Sequence, residues 1–392
     1  MKTTTLTFIL VCMFLFLYSL KGISQITRGA SPGEIYISGD WYHDGLHLHH
    51  AIFRSSDNGE TIELKYHNID NPPTGEMEVG PLNSDATPGV TYNYGYYPYY
   101  DLWVSFNYGV SWEFIEHHSV YTEYFSGVVP GTIFKGNNEG FFKSADFGFT
   151  FEPLHITFLV FLSEVGYTEN EFFGLYGVSG LYYNLIHTID YGQTYTEFTI
   201  DSTVALWQIY AKSPQLSRGT EPGELYLVSW WFEYRYKIFH SVDTGYTWTL
   251  QYESEEIDPG WWGVQYTAGQ APGSFYVKRS TIDPELTHSW VYIDYSSDYG
   301  QTFTTYFHDL GNWVGTDPPN EATEPRIKTS CYPNPFYNHI SFDFSLPEPD
   351  MGSNLQIFNI HGNLIKEYKL AGKKQISWDG IGISGQKVES GI

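Results

Sequence analysis

One eight-residue pattern recurs six times along this chain: Ser/Thr-x-Asp-x-Gly-x-Thr/Ser-aromatic. The copies are SSDNGETI (55–62), SFNYGVSW (105–112), SADFGFTF (144–151), TIDYGQTY (188–195), SVDTGYTW (241–248) and SSDYGQTF (296–303). Their central residues are Asp57, Asn107, Asp146, Asp190, Asp243 and Asp298, spaced 50, 39, 44, 53 and 55 residues apart. A motif repeating at about 48 residues means one supersecondary unit stacked several times over, not one irregular core. The copies differ at two places: Asn107 stands for Asp, and the first copy ends in Ile62.

Each position has a job in a β-hairpin. The Asp side chain can accept hydrogen bonds from turn amides. The Gly takes a backbone conformation that a Cβ opposes. The hydroxyls can tie the two strands, and the aromatic can pack beneath the turn. Flanking residues alternate in polarity as strands do. A second element, Pro-Gly-x-x-Tyr/Phe, lies upstream of most copies, at 32–36, 88–92, 130–134, 222–226 and 272–276, while the fourth unit has NEFFGLY (170–176). Pro-Gly is a tight-turn signal feeding a strand. Each unit therefore reads as strand, Pro-Gly turn, strand, loop, strand, box turn, strand.

Four strands per unit, six times over, predict an all-β chain with a six-bladed β-propeller, a seventh blade being the alternative. The boxes resemble the Asp-box (BNR) repeats of sialidase-like, sortilin-like and xyloglucanase-like propellers, over about residues 26–315. The first unit is expected to lack an innermost strand, because the segment before its Pro-Gly turn abuts the N-terminal apolar stretch. NWVGT (312–316) is then expected to supply that strand, so that both ends of the ring meet in blade one.

Residues 1–25 read as a secretory signal peptide. Lys2 precedes an apolar core over 6–20, and Gly22 and Ser24 sit at −3 and −1 of a cut before Gln25. The remaining chain keeps one cysteine, Cys331, which excludes an intramolecular disulfide and a multi-cysteine zinc site.

Composition changes near the other end. Residues 26–325 carry 11 Lys+Arg and 39 Asp+Glu, whereas residues 326–392 carry 7 and 6. The Pro- and Glu-rich stretch between them reads as a linker, giving a propeller over 26–314, a linker over 315–327 and a module over 328–392. The module shows short strands with Gly turns, as in a small Ig-like β-sandwich. It resembles the type A C-terminal sorting domain of the type IX secretion system. The matching residues are Tyr332-Pro333-Asn334-Pro335-Phe336, Ile357-Phe358-Asn359-Ile360-x-Gly362, Trp378-Asp379-Gly380 and Ser390-Gly391-Ile392. The resemblance implies passage across the outer membrane of a Gram-negative bacterium, then release or surface attachment, with the secretion machinery as a partner of 328–392. That family continues past Gly-Ile into a final strand, so a truncated record is expected at Ile392.

The strongly acidic propeller argues against nucleic acid as a partner. Its candidate ligand face is the one opposite the Pro-Gly and box turns, where the connections vary and carry aromatic residues. Trp41, Tyr97, Tyr100, Trp230, Trp231, Tyr234, Trp261 and Trp262 are the candidate stacking residues, with Arg235 and Arg279 as polar anchors. The box residues themselves are expected to be structural. A sialidase needs clustered arginines to clamp a substrate carboxylate. The propeller has only Arg28, Arg54, Arg218, Arg235 and Arg279, and Arg28 and Arg218 precede Pro-Gly turns. Sialidase activity is therefore not expected. A glycosidase would need two carboxylates across a cleft, drawn from Asp44, Asp101, Glu253, Glu255, Glu256, Asp258, Asp283 and Glu285. His47 and His49 are weak metal candidates, and no metal site is expected. No phosphate loop, nucleophile elbow or dinucleotide fingerprint occurs, so no cofactor is expected. The reading is a monomeric secreted or surface propeller that binds glycan or an extracellular protein without catalysis. The alternatives are a polysaccharide hydrolase and a peptide-binding assembly propeller.

Overall fold

The computed structural model describes residues 25–388 apart from 44–47, 70–76, 78, 96–99, 121, 138, 155–161, 179–181, 202, 205–214, 232–234, 256–260, 283–288, 311–327, 333–338, 346–353, 359–363 and 370–374. The described residues contain strands and turns and no helix. The chain divides into two compact units, Met1–Val314 and Gly315–Ile392.

The first unit is a six-bladed β-propeller, each blade an antiparallel four-stranded sheet in simple chain order. Blade 1 holds β1 (Gln25–Arg28), β2 (Ile35–His43), β3 (Leu48–Ser55) and β4 (Glu63–Ile69). Blade 2 holds β5 (Leu82–Ser84), β6 (Thr91–Tyr94), β7 (Leu102–Ser105) and β8 (Glu113–Glu116). Blade 3 holds β9 (Glu123–Ser126), β10 (Ile133–Asn137), β11 (Gly140–Ser144) and β12 (Glu152–Leu154). Blade 4 holds β13 (Leu162–Val165), β14 (Phe172–Val178), β15 (Tyr182–Thr188) and β16 (Thr196–Ile200). Blade 5 holds β17 (Gln215–Arg218), β18 (Leu225–Trp231), β19 (Arg235–Ser241) and β20 (Thr249–Glu253). Blade 6 holds β21 (Trp261–Ala268), β22 (Phe275–Ile282), β23 (Ser289–Ser296) and β24 (Thr304–Asp309).

The two turn types share one face of the ring. In every blade the residue before the box glycine donates its amide to the upstream turn: Asn58 to Gly33 O (2.9 Å), Tyr108 to Gly89 O, Phe147 to Gly131 O, Tyr191 to Asn170 O, Thr244 to Gly223 O and Tyr299 to Gly273 O (2.8 Å). The variable connections consequently lie on the opposite face. Within a box the hydroxyl and the carboxylate form a closed network. In blade 5, Ser241 Oγ donates to Asp243 Oδ1 (2.8 Å) and accepts from Gly245 N (2.9 Å). Asp243 accepts from Thr247 N (2.8 Å) and Thr247 Oγ1 (2.7 Å). Asn107 keeps the same pattern with one bond reversed, its amide donating to Ser111 Oγ at 2.8 Å.

The left-handed backbone of the box spans two residues, not the glycine alone. Asn58, Tyr108, Phe147, Tyr191, Thr244 and Tyr299 all have φ between 57° and 65°. Such a conformation is uncommon for a non-glycine residue and disfavoured for a β-branched one such as Thr244.

Beside the Pro-Gly turns, three blades bury a glutamate against a glycine. Glu34, Glu171 and Glu224 fold back over Gly29, Gly166 and Gly219, where an added Cβ would lie 2.1–2.5 Å from the carboxylate side chain. Glu224 Oε2 accepts Thr220 N (2.7 Å) and Glu221 N (3.1 Å), while Oε1 meets Tyr226 OH (3.1 Å) and His240 Nε2 (3.0 Å). Arg54 and His187 take the place of His240 on Glu34 and Glu171. Blade 2 solves the same problem from the other side. Asp85 replaces the glycine and Val90 the glutamate, and the Asp85 carboxylate reaches Thr87 N (2.7 Å), Tyr92 OH (3.3 Å) and Gly131 N of blade 3 (3.1 Å).

Ring closure departs from the sequence expectation. Blade 1 already has its innermost strand, β1, paired with β2 from Gln25–Ser38 to Arg28–Ile35. Blade 6 is likewise complete, and residues 312–316 lie outside those described. The seam is closed by packing instead. Ile26, Ile35, Ile37 and Phe53 of blade 1 share a buried cluster with Tyr276, Val291 and Ile293 of blade 6. Side chains complete the join: Tyr276 OH to Asn58 Oδ1 (2.8 Å), Lys278 Nζ to Ser38 O (3.2 Å), Gln270 Nε2 to Gly29 O (3.0 Å) and His308 Nε2 to Gly59 O (2.8 Å). Other neighbouring innermost strands are tied in the same style, by Gln25 to Leu82 N, Asn83 to Tyr124 O, Glu164 to Arg218 N and Ser217 to Ala268 N.

The second unit has a three-stranded sheet of Lys328–Tyr332, Ile340–Ser345 and Gln375–Trp378 and a hairpin of Asn354–Phe358 with Leu364–Lys369. Ile376 packs on Phe342, Leu355 and Tyr368, so the two sheets share a core as a small sandwich does. The Trp-Asp-Gly motif makes a turn in which Trp378 Nε1 donates to Ile381 O (3.0 Å), Asp379 Oδ1 accepts from Ile381 N (3.1 Å) and Gly380 has φ 75°.

Candidate functional site

On the variable face the described residues Gly95, Tyr100 and Asp101 of blade 2 lie beside 117–118, in the link to blade 3. Tyr100 N donates to His118 O (3.0 Å), which fixes one loop on the other. Asp101 Oδ1 then pairs with His117 Nδ1 at 2.6 Å, the His half in water. Beneath them, Glu116 is held by Lys135 Nζ at 2.7 and 3.0 Å, by His118 Nε2 at 3.2 Å and by Tyr124 OH at 3.1 Å. Lys135 rises from β10, is buried, and lies 4.1 Å from the centre of the Phe151 ring. A buried ammonium needs such a carboxylate and ring face, because desolvation would otherwise neutralise it.

Arg279, on the second half of β22, forks onto Asp294 with Nε–Oδ2 at 2.5 Å and Nη2–Oδ1 at 2.7 Å. Asp294 is buried and also accepts Thr305 Oγ1 at 2.6 Å. The guanidinium lies 5.1 Å from the Tyr292 ring centre. Arg279 is thus spent within the blade. Arg235 begins β19 and is half-buried. Glu253 pairs with Lys237 at 3.3 Å.

Of the sequence candidates, Tyr100, Arg235, Arg279, Asp101, Glu253 and Glu255 are described in full. Trp41, Trp230, Trp231, Trp261 and Trp262 lie on β2, β18 and β21, but their side chains are outside the described residues. Tyr97, Tyr234, His47, Asp44, Glu256, Asp258, Asp283 and Glu285 are outside them altogether, and so is the side chain of His49. Among the described residues no group of three His, Cys, Asp or Glu could hold a metal ion. Sequence reasoning missed Glu116, His118 and Lys135. Lys135 alone carried a signal, as a lone basic residue directly after two apolar ones in its strand.

The box carboxylates are held ionised by their turns. Asp298 is pulled down to about 2, first by Thr302 Oγ1 and then by the Thr302 amide. For Asp57, Asp146 and Asp243 burial is the largest single influence and acts upward, yet the summed hydrogen bonds win and the carboxyls sit below their ordinary range. These groups face and bond their own turns.

Residues 330–389 match the secretion system C-terminal sorting domain. The second unit is therefore a sorting domain, of the kind that directs a chain to secretion or to attachment at the outer-membrane surface. No curated protein matches the chain in sequence. Solved structures align at low identity. A mutant of AofleA from Arthrobotrys oligospora gives a TM-score of 0.44 at 10% identity over 74% of this chain and 88% of its own. SapL1 lectin in complex with alpha methyl fucoside gives 0.42 at 12% over 73% and 95%. The NanB sialidase from Streptococcus pneumoniae gives 0.33 at 14% over 82% and 64%.

Proposed function

We propose that this chain is an exported propeller that binds an extracellular glycan or protein through its variable face and carries out no chemistry there. The observation that supports it is the engagement of four carboxylates among the described residues. Asp101, Glu116, Glu253 and Asp294 are each paired with a basic side chain. Inverting and retaining glycosidases alike need one carboxyl free to give a proton and a second facing it across the cleft. Two of the arginines are engaged too. Arg54 sits on Glu34 and Arg279 on Asp294, while Arg28 and Arg218 converge at the turn-face end, away from the loops. That leaves no three-arginine clamp for a sialic acid carboxylate among the described residues. The aromatic set at Trp41, Tyr97, Tyr100, Trp230, Trp231, Trp261 and Trp262 supplies the stacking surface of the proposal.

The test uses the mature full chain against sialoglycans and plant and algal polysaccharides. No new reducing ends are expected, with retention on at least one immobilised glycan or protein that falls at least tenfold in Trp230→Ala/Trp231→Ala. Release of product by a folded protein would overturn the non-catalytic reading, and retention unchanged in the double variant would overturn the aromatic face.

A further inference from the structure

The innermost strands of a propeller end around a central channel, and here each of them ends one residue before the turn-face glycine or its substitute. That last position is Arg28, Ser84, Ser126, Val165, Arg218 and Ala268 in blades 1 to 6. Polar residues with an unusual environment occupy alternate blades. Arg28 of blade 1 reaches past blade 6 to donate Nη1 to Arg218 O of blade 5 at 2.9 Å. A guanidinium that skips one blade to reach the next has crossed the channel side of the ring. Arg218 Nε is buried and has no hydrogen-bond partner. Ser126 of blade 3 likewise carries a buried hydroxyl with no partner.

The nearest acid does not close this account. Glu164 of blade 4 gives Oε2 to Arg218 N (3.3 Å) and Oε1 to Val165 N (3.1 Å), so it is spent on main-chain amides. Among the described residues neither Arg28 nor Arg218 has a carboxylate within salt-bridge distance, unlike Arg54 and Arg279 with theirs at 2.8 and 2.5 Å, although Glu164 attracts both from farther off. Glu171 and Glu224 exert a field from their own turns but are bonded to His187 and His240. Burial pushes the Glu164 carboxyl up despite Arg28 and Arg218, and burial, then Arg28, pushes Arg218 down to about 9. Two guanidiniums that share the one carboxylate of Glu164 leave an excess of positive charge, and an orphaned donor among them calls for an acceptor.

We propose that the turn-face mouth of the channel is a binding site for one small oxyanion, a carboxylate, phosphate or sulfate, held between Arg28 and Arg218. The planar fork of arginine suits such an ion. An anion there would bolt blades 1 and 5 together across blade 6. It would do in the channel what a shared strand would have done at the seam.

The experiment measures thermal unfolding of the mature chain in chloride, with sodium sulfate, phosphate or acetate titrated at matched ionic strength. A saturable rise of the midpoint is expected for at least one of the three. Preference for sulfate or phosphate identifies an inorganic ion, and preference for acetate a carboxylate ligand. Arg28→Gln and Arg218→Gln should each weaken that response at least tenfold, whereas Arg54→Gln should keep its half-saturating concentration. Arg28→Lys, which keeps the charge and loses the fork, serves if a glutamine variant fails to fold, and it too should weaken binding. No saturable response to any of the three anions overturns the site. So does an undiminished response in the Arg28 and Arg218 variants.

Discussion

Blades 2 and 5 hold two answers to one packing problem, and exchanging them makes a sharp test. Gly219→Asp places a carboxylate where Glu224 already lies, since even a Cβ at Gly219 would sit 2.1 Å from Glu224 Oε2 and 2.2 Å from Cδ. Gly219 itself is not in the left-handed region, so the cost is steric and electrostatic, not one of backbone strain. Two carboxylates cannot share the pocket. Burial acts most strongly on the Glu224 carboxyl and upward, but the bonds from His240, Thr220 N, Glu221 N and Tyr226 outweigh it and hold the group at about 2, against 4.5 for a free glutamate. At 1.36 kcal/mol per unit, eviction of that carboxylate costs about 3 kcal/mol. For a domain this large the melting point should fall by about 6 °C. Gly219→Asp/Glu224→Val recreates the Asp85–Val90 arrangement and should recover more than half of the loss. Recovery stays incomplete because burial holds the Asp85 carboxyl above its ordinary range, and because His240 loses its acceptor. Urea and thermal unfolding of the parent, both single variants and the double variant give the coupling energy. A single variant within 1 kcal/mol of the parent would refute the reasoning, as would a double variant no better than Gly219→Asp.

Three further expectations concern stability. Thr244→Asn removes a β-branched residue from φ 59° and installs the residue type that blade 1 uses at 65°. The denaturation midpoint should rise by the equivalent of about 0.5–1 kcal/mol. Because the folded-state values of Asp57, Asp146, Asp190, Asp243, Asp298 and Glu224 are lowered, their stabilisation is present above the unfolded carboxylate range and is lost as pH falls through the folded values. Urea midpoints should hold level from pH 7 to about 5 and drop toward pH 2, and Asp298→Asn should flatten part of that acid limb. Lys135→Met leaves the carboxylate of Glu116 with only a histidine and a tyrosine in contact, so about 3 kcal/mol of stability should be lost, and Lys135→Met/Glu116→Gln should restore most of it by the same unfolding assay.

The repeat architecture was open to reading because the box and the Pro-Gly turn recur in phase, and each residue type in them answers a local backbone demand. The seam was not, since β1 is four residues long and only Ile26 in it is both apolar and buried. Alternation over four residues carries too little pattern to separate a strand from the tail of an export signal. The box was half legible: its glycine announced a left-handed residue, but the Tyr, Phe and Thr beside it belong to types that give no hint of that conformation. The channel cluster was hidden for another reason. Arg28, Glu164 and Arg218 are 136 and 54 residues apart, and only ring closure brings blades 1, 4 and 5 to one axis. On the variable face, Lys135 and Glu116 became partners only through the packing of blade 2 on blade 3.

A ring whose sixth blade meets its first by the same means as any other pair has no privileged joint. The covalent gap between Asp309 and Gln25 runs from an outermost strand to an innermost one, as does the link from Glu116 to Glu123. Where the chain is interrupted is then a matter of genetic history, not of mechanics. Closing that gap with a short peptide and opening any other inter-blade link should yield a permuted protein with the same blades in the same order.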